Sequence, residues 1–173
     1  MDDRNSHSIM IKIIDNFLDK KDFNNLKKGM EDTNYFPWFY APSKDKKSDT
    51  DLNQFQFTHI FYENYTINST KFDLVEAIVK KINPTALIRI KANLTTYSPI
   101  LKEGYFHTDG LSKNMKSAIY YLNTNDGYTL FKKDKKKIES VANRMIFFNS
   151  TEWHTGTNTT NAKKRIVINF VYI

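Results

Sequence analysis

Four histidines, His7, His59, His107 and His154, are spread along the 173 residues, and there is no cysteine. Any metal or nucleophilic chemistry must therefore come from imidazoles, carboxylates and hydroxyls, since thiolate ligands, disulfides and cysteine nucleophiles are ruled out. His107 and Asp109 stand two apart in the stretch EGYFHTDG. In an extended strand, residues i and i+2 leave the same face, so both side chains can converge on one ion. His154 comes later, in the turn-like STEWHTG, where it can supply a third ligand. Two imidazoles and a carboxylate on one face of an octahedral ion leave three positions open, a set suited to Fe(II). A His-x-Asp pair alone occurs by chance in many chains and is more often a surface feature than a metal site, so the case needs a further partner.

Arg165 is the candidate partner. It opens the last apolar run, RIVINFVYI, and shares strand parity with Val167, Asn169 and Val171. An arginine directed inward among apolar neighbours is costly unless an anion neutralises it, and its planar fork matches a carboxylate bidentately. A bound dicarboxylate would serve. The other reading puts Arg165 at the exposed start of the strand beside Lys163 and Lys164; parity separates Lys164 from Arg165 and favours the arginine.

Those residues need a scaffold. A chain of this length most economically makes one domain. With 14% aromatics, 13 Phe and 10 Tyr against 5 Gly and 4 Pro, the composition excludes disorder and fibrous repeats. The N-terminus carries no cleavage-site pattern and no window approaches eighteen consecutive apolar residues, so a soluble, cytoplasmic protein without a membrane partner is expected. The formal charge is +7. The densest basic run, KKDKKK at Lys132–Lys137, reads as a solvated hairpin; a nucleic-acid or acidic-partner patch is the alternative.

Along the chain, IMIKIIDNFL reads as a first strand. Asp19 is a candidate N-cap for a helix over 20–32, with Phe23, Leu26 and Met30 at helical spacing. FPWFY looks like a short strand, APSKDKKSDTDLN a surface loop, and FQFTHIFYE another strand. STKFDLVEAIVKKIN is a second helix, opened by Ser69 or Thr70 and ended by Pro84. From Ala86 onward the segments LIRIKANLTTY, GYFHTD, KSAIYYLN, YTLF, KIESV, RMIFFNS and KRIVINFVYI all read as strands. Two helices followed by about seven strands predict an α+β, mainly β fold with a closed or double-sheet core. In LIRIKANLTTY, Leu87, Arg89, Lys91, Asn93, Thr95 and Tyr97 share one face, which is mostly polar, whereas Ile88, Ile90, Ala92, Leu94 and Thr96 share the other, mostly apolar, face. The apolar face suits a cover of helices. The polar face is either the wall of a ligand cavity or one wet face of an antiparallel sheet.

Taken together, HTD with His107 and Asp109, HTG with His154, and Arg165 in RIVINF resemble the signature of the Fe(II)- and 2-oxoglutarate-dependent dioxygenases. Within that superfamily the chain is most similar to the prolyl-4-hydroxylase-like branch, especially its short single-domain members carried by bacteriophages. SAIYYLN, YTLF and VANRMIFFNS are similar to the strands this branch places between its metal-ligand elements. The resemblance is specific over residues 94–173 and looser before them. It implies a double-stranded β-helix core of jelly-roll or cupin-like type over 86–173, with two N-terminal helices in a supporting region, 1–85, packed on one sheet. It also implies one oxygenase domain spanning 1–173, in which His107, Asp109 and His154 bind Fe(II) and Arg165 holds the distal carboxylate of 2-oxoglutarate.

Tyr97 and Tyr121 fall where the branch often places tyrosines near the cosubstrate, and both are equally readable as core aromatics. Asn169 is a further pocket candidate. The implied activity is hydroxylation of a C–H bond with O2, releasing succinate and CO2, on a prolyl, other peptidyl or small-molecule substrate. The branch that demethylates nucleic-acid bases tends to carry a second arginine six residues after the first. Here that position is Val171, which counts against a nucleic-acid substrate. The loops APSKDKKSDTDLN and SPILKEG are expected to contact substrate. The competing functions are a non-redox cupin-like binder of metal or small ligands, which would lack the Arg165 anchor, and a basic nucleic-acid-interacting protein.

Overall fold

The computed structural model describes residues 10–32, 34–43, 55–110 and 112–173. His7 and most of the loop APSKDKKSDTDLN lie outside them. The described elements run β1 (Lys12–Ile14), α1 (Lys20–Glu31), β2 (Phe39–Ala41), β3 (Gln56–Glu63), β4 (Thr66–Ile67), α2 (Asp73–Ile82), β5 (Leu87–Thr96), β6 (Lys116–Tyr121), β7 (Tyr128–Phe131), β8 (Lys137–Glu139), β9 (Arg144–Asn149), β10 (His154–Gly156) and β11 (Lys164–Tyr172). The expected class, mainly β with two helices, is what forms. No helix among the described residues is long and apolar enough to cross a membrane.

Two antiparallel sheets face each other. The larger runs β1-β9-β6-β11-β5-β3-β2, with β4 beside β3; the smaller runs β10-β7-β8. The alternation of β5 separates two environments. On its outer face Ile90 and Ala92 pack with Ile166, Ile168 and Phe170 of β11 beneath Leu26 and Met30 of α1 and Val75 and Ile78 of α2. This is the cover that the apolar parity demands. On the inner face, the half of the sandwich built from β6, β9, β7 and β8 is filled by Ile119, Tyr121, Phe131, Ile138, Ile146 and Phe148. The half built on β5 stays polar and open. That asymmetry makes a cleft at one end of the sandwich and a packed core at the other.

Several local expectations need correction. Residues 103–109 do not form a strand. They run as extended chain tied by isolated bridges, Glu103 to Thr157 and His107 to His154. Conversely, the turn-like HTG is strand β10, paired with β7 so that His154 faces Phe131. Helix α1 is capped as expected, Asp19 Oδ1 accepting from the Asp22 amide at 2.8 Å. Helix α2 starts later than Ser69, behind Phe72, with no side-chain cap. Ser69 is engaged elsewhere, its hydroxyl 2.7 Å from His59 Nε2. The helix ends at Asn83, whose left-handed φ of 51° turns the chain before Pro84. The short strand expected in FPWFY begins only at Phe39.

Candidate active site

His107 and His154 hold each other across the bridge that ties the extended segment to β10. The amide of each donates to the carbonyl of the other at 3.0 Å. Two residues on, the amides of Asp109 and Gly110 both donate to the Ser150 carbonyl, at 3.0 and 3.1 Å. This backbone stitching does the work a strand would have done. One ligand atom from each of His107, Asp109 and His154 lies within 4.8 Å of the others, a spacing that fits coordination of a single ion.

The histidines are oriented for ligation. Nδ1 of His107 lies 3.2 Å from the Tyr105 carbonyl and Nδ1 of His154 lies 3.0 Å from the Glu152 carbonyl. A carbonyl only accepts, so each Nδ1 carries the proton and each Nε2 keeps its lone pair. Burial, opposed by the charge of Asp109, pulls His154 below its ordinary range, so its imidazole is neutral at neutral pH, the form a metal binds. For Asp109, burial pushes its carboxyl up. The attraction of a protonated His154 in the acidic range, hydrogen bonds from Asn169 and Ser117, and the charge of Arg89 together outweigh that push and leave it below the ordinary carboxylate value. Ser117 Oγ and Asn169 Nδ2 each donate to Oδ2 at 2.8 Å, and Arg89 donates to Oδ1 at 3.1 Å. Oδ1 thus accepts one bond and retains acceptor capacity for an ion.

Arg165 lies deeper in the same cleft, 4% exposed. Its Nε donates to Ser140 Oγ at 2.8 Å, and its terminal nitrogens reach the Thr157 carbonyl at 3.4 Å and Thr129 Oγ1 at 3.5 Å. The Tyr121 ring lies 5.7 Å from its Cζ. Among the described residues it has no carboxylate partner, and burial disfavours its charge. Glycines shape the space around it. A Cβ on Gly127 would sit 2.5 Å from both Arg165 Cδ and the Asn158 carbonyl, and one on Gly156 would sit 3.3 Å from a terminal nitrogen. Lys164, one residue earlier, turns to the opposite face and pairs with Glu31 of α1 at 3.6 Å.

The cleft encloses about 230 Å³, and its walls include the three candidate ligands, Arg165, Asn169 and the inner row of β5, with Gly104 and Tyr105 at its rim. Two sequence candidates are placed elsewhere. Tyr97 is 55% exposed and lines a separate shallow depression beside Lys163. Tyr121 is fully buried in the core behind Arg165, its hydroxyl donating to Thr129 Oγ1 at 2.7 Å. Trp38 packs against the helix-side core, and Trp153 is exposed with Lys132 over its ring. Arg89 and Ser117, which hold Asp109, are not recognisable as site residues from sequence. Their one signal is parity, Arg89 on the polar row of β5 and Ser117 on the inward row of β6 with Ile119 and Tyr121.

Two antiparallel sheets, with a His-Asp-His group at the open end, have the layout of a double-stranded β-helix. Residues 94–172, a little under half of the chain, match the model of the 2OG-Fe(II) oxygenase superfamily. Members of that superfamily use Fe(II), 2-oxoglutarate and O2. Solved structures share the fold. A prolyl hydroxylase from Trichoplax adhaerens, in complex with a hypoxia inducible factor oxygen degradation domain peptide, is 13% identical with a TM-score of 0.68, covering 97% of this chain and 85% of its own. The viral collagen prolyl hydroxylase of Paramecium Bursaria Chlorella virus-1, in a 2-oxoglutarate complex, is 18% identical with a TM-score of 0.59, covering 93% and 94%. The α-ketoglutarate-dependent epimerase SnoN from nogalamycin biosynthesis is 10% identical with a TM-score of 0.67, covering 97% and 79%. No curated protein matches the sequence.

Proposed function

We propose that His107, Asp109 and His154 hold Fe(II), that Arg165 binds the distal carboxylate of 2-oxoglutarate, and that residues 1–173 act as one oxygenase domain. The reaction is hydroxylation of a C–H bond in a peptidyl or amino-acid substrate, a prolyl residue among the candidates, coupled to conversion of 2-oxoglutarate and O2 to succinate and CO2. A peptide substrate is supported by the Trichoplax neighbour, whose structure contains one. A cytoplasmic site of action fits, because a reducing compartment keeps iron as Fe(II).

The observation that carries this reading is Arg165. A buried guanidinium that, among the described residues, has only hydroxyl and carbonyl hydrogen-bond partners, and that faces the same cleft as the three candidate ligands, is suited to receive a carboxylate. A cupin-like binder without a cosubstrate would have no use for it.

Iron and cosubstrate, once bound, supply the oxidising chemistry. The chain supplies aim and enclosure. Carbonyls of Tyr105 and Glu152 fix the imidazole tautomers, Ser117, Asn169 and Arg89 hold the Asp109 carboxylate, and Arg165 sets where the cosubstrate's far end lies. Gly104, the last residue of SPILKEG, and Tyr105 after it line the cleft, which fits a role for that segment in substrate contact. Anaerobic titration with Fe(II) and 2-oxoglutarate is expected to give a visible metal-to-ligand charge-transfer band that Arg165→Ala abolishes. A wild-type protein without the band would sink the oxygenase reading.

A further inference from the structure

Among the described residues, Arg165 is not the only cation in the cleft without a counter-ion. Lys91, on the polar row of β5, lines the same cleft in register with Asn169 of β11, the residue that holds Asp109. Its ammonium is partly buried, and among the described residues it makes no hydrogen bond or ion pair. Burial first, and then the neighbouring charge of Arg89, pull its pKa down. The carboxylates that act on it from a distance are Glu63 and Asp109. Asp109 is already committed to Arg89, Ser117 and Asn169. Arg89 itself is only partly satisfied. It donates to Asp109 and, at 3.3 Å, to Asn169 Oδ1, while its Nε is enclosed without a partner. Two adjacent cations with spare donors on the wall of a cleft carry a desolvation cost that a bound anion would offset.

That anion is a different one from the distal carboxylate of the cosubstrate. Arg165 is in register with Thr95, and Lys91 lies four residues along the same strand, roughly 13 Å away at the usual strand rise. Arg165 is enclosed by Ser140, Thr129, Thr157 and Tyr121, none of them near Lys91 in the register. The Lys91 end of the row lies toward Asp109, where the substrate must come to be oxidised. A single ammonium, with the Asn93 and Gln56 side chains lining the same cleft, suits a monoanion.

We propose that Lys91, backed by Arg89, binds a carboxylate of the substrate close to the carbon that is oxidised. The inference rests on the oxygenase reading and narrows its substrate class to molecules with such a carboxylate: a free amino acid, through its α-carboxylate, or a peptide, through an acidic side chain.

The test is binding, measured anaerobically on the Fe(II) and 2-oxoglutarate complex by calorimetry and by perturbation of the charge-transfer band, with matched acids and amides. Proline against prolinamide and glutamate against isoglutamine probe an α-carboxylate. N-acetyl-aspartyl-amide against N-acetyl-asparaginyl-amide probes a side-chain carboxylate in a peptide. In at least one arm the acid is expected to bind about tenfold tighter than its amide. Lys91→Met should erase that preference while leaving the 2-oxoglutarate affinity within about twofold of wild type. Lys91→Gln carries the same comparison if the methionine variant does not fold. The proposal is overturned if no acid outbinds its amide, if the preference survives both substitutions, or if they abolish 2-oxoglutarate binding, which would make Lys91 part of the cosubstrate pocket. A wild-type protein with no charge-transfer band would overturn the oxygenase reading itself, and this site's role with it.

Discussion

His59 and His154 are each 3% exposed, and they sit on opposite sides of the large sheet. On the helix side, His59 is satisfied at both nitrogens: Nδ1 donates to the Pro37 carbonyl at 2.8 Å and Nε2 accepts from the Ser69 hydroxyl at 2.7 Å, with Phe36 and Phe61 packed on the ring. On the cleft side, His154 uses Nδ1 on a carbonyl and turns Nε2 toward Asp109, 3.6 Å away. The same contrast extends to the whole sheet. The helix side closes its polar groups internally, whereas the cleft side leaves His154, Arg165, Arg89 and Lys91 with capacity to spare. Burial alone does not mark a functional residue; burial with bonds left unmade does.

Exchanging the two histidines' roles should give the largest effects. His154→Ala is expected to lower the rate of 2-oxoglutarate turnover by at least about a thousandfold and abolish stoichiometric Fe(II) binding, because two ligands cannot replace three. The protein should stay folded. His59→Ala should do the opposite, costing about 1–3 kcal/mol of stability through two lost buried hydrogen bonds while folded protein still binds iron. Iron titration with thermal unfolding separates the cases. Iron loss in folded His59→Ala would refute the division of labour between the faces.

Arg165 sharpens the comparison through stability. An uncompensated buried guanidinium costs folding free energy, so the apolar, near-isosteric Arg165→Met should be more stable than wild type in the absence of ligand, by about 1–3 kcal/mol. With 2-oxoglutarate and Fe(II) at a hundredfold excess over the dissociation constant, wild type gains about 2.7 kcal/mol and the variant gains little, so the order of melting temperatures should reverse. A variant less stable than wild type under both conditions would mean that the bonds to Ser140, Thr129 and Thr157 already compensate the charge.

These expectations differ in how far sequence alone leads to them. The parity of β5 is legible because alternation is a local property, and it divides helix side from cleft. His107, Asp109, His154 and Arg165 stand out through residue type and spacing. What holds them is less visible. The extended segment 103–109 looks like a strand, yet it is fixed by the carbonyls of Ser150 and His154, contacts with distant chain that no local pattern encodes. Strand β10 hides in a run of turn-forming residues because its partner β7 decides its conformation. Tyr97 and Tyr121 have the same residue type on neighbouring strands, but only the fold tells that one faces solvent and the other backs Arg165. Arg89 and Lys91 lie on a row that parity alone leaves open between a cavity wall and a wet face, and the cleft decides between them.

The smallest expected effect concerns the frame around Arg165. Asp126, in the turn before β7, accepts hydrogen bonds from the Thr159 hydroxyl and from the amide and hydroxyl of Thr160, tying it to the loop that leads into β11. Burial pushes its carboxyl up, but the bonds from Thr160, Thr159 and Asn161 outweigh that and hold it below its ordinary value of 3.8. A carboxylate depressed in the folded state contributes stability that is fully present above the unfolded value and is lost as pH falls through the folded one. Asp126→Asn should therefore melt below wild type at pH 7, and the gap should close as the pH drops beneath the ordinary carboxylate range. The carboxylate is mostly solvated, so the gap is at most about 1 kcal/mol. Because the loop also feeds Arg165 into the cleft, a substitution that weakened 2-oxoglutarate binding far more than it lowered stability would show that Asp126 positions the anchor and is not merely a turn constraint.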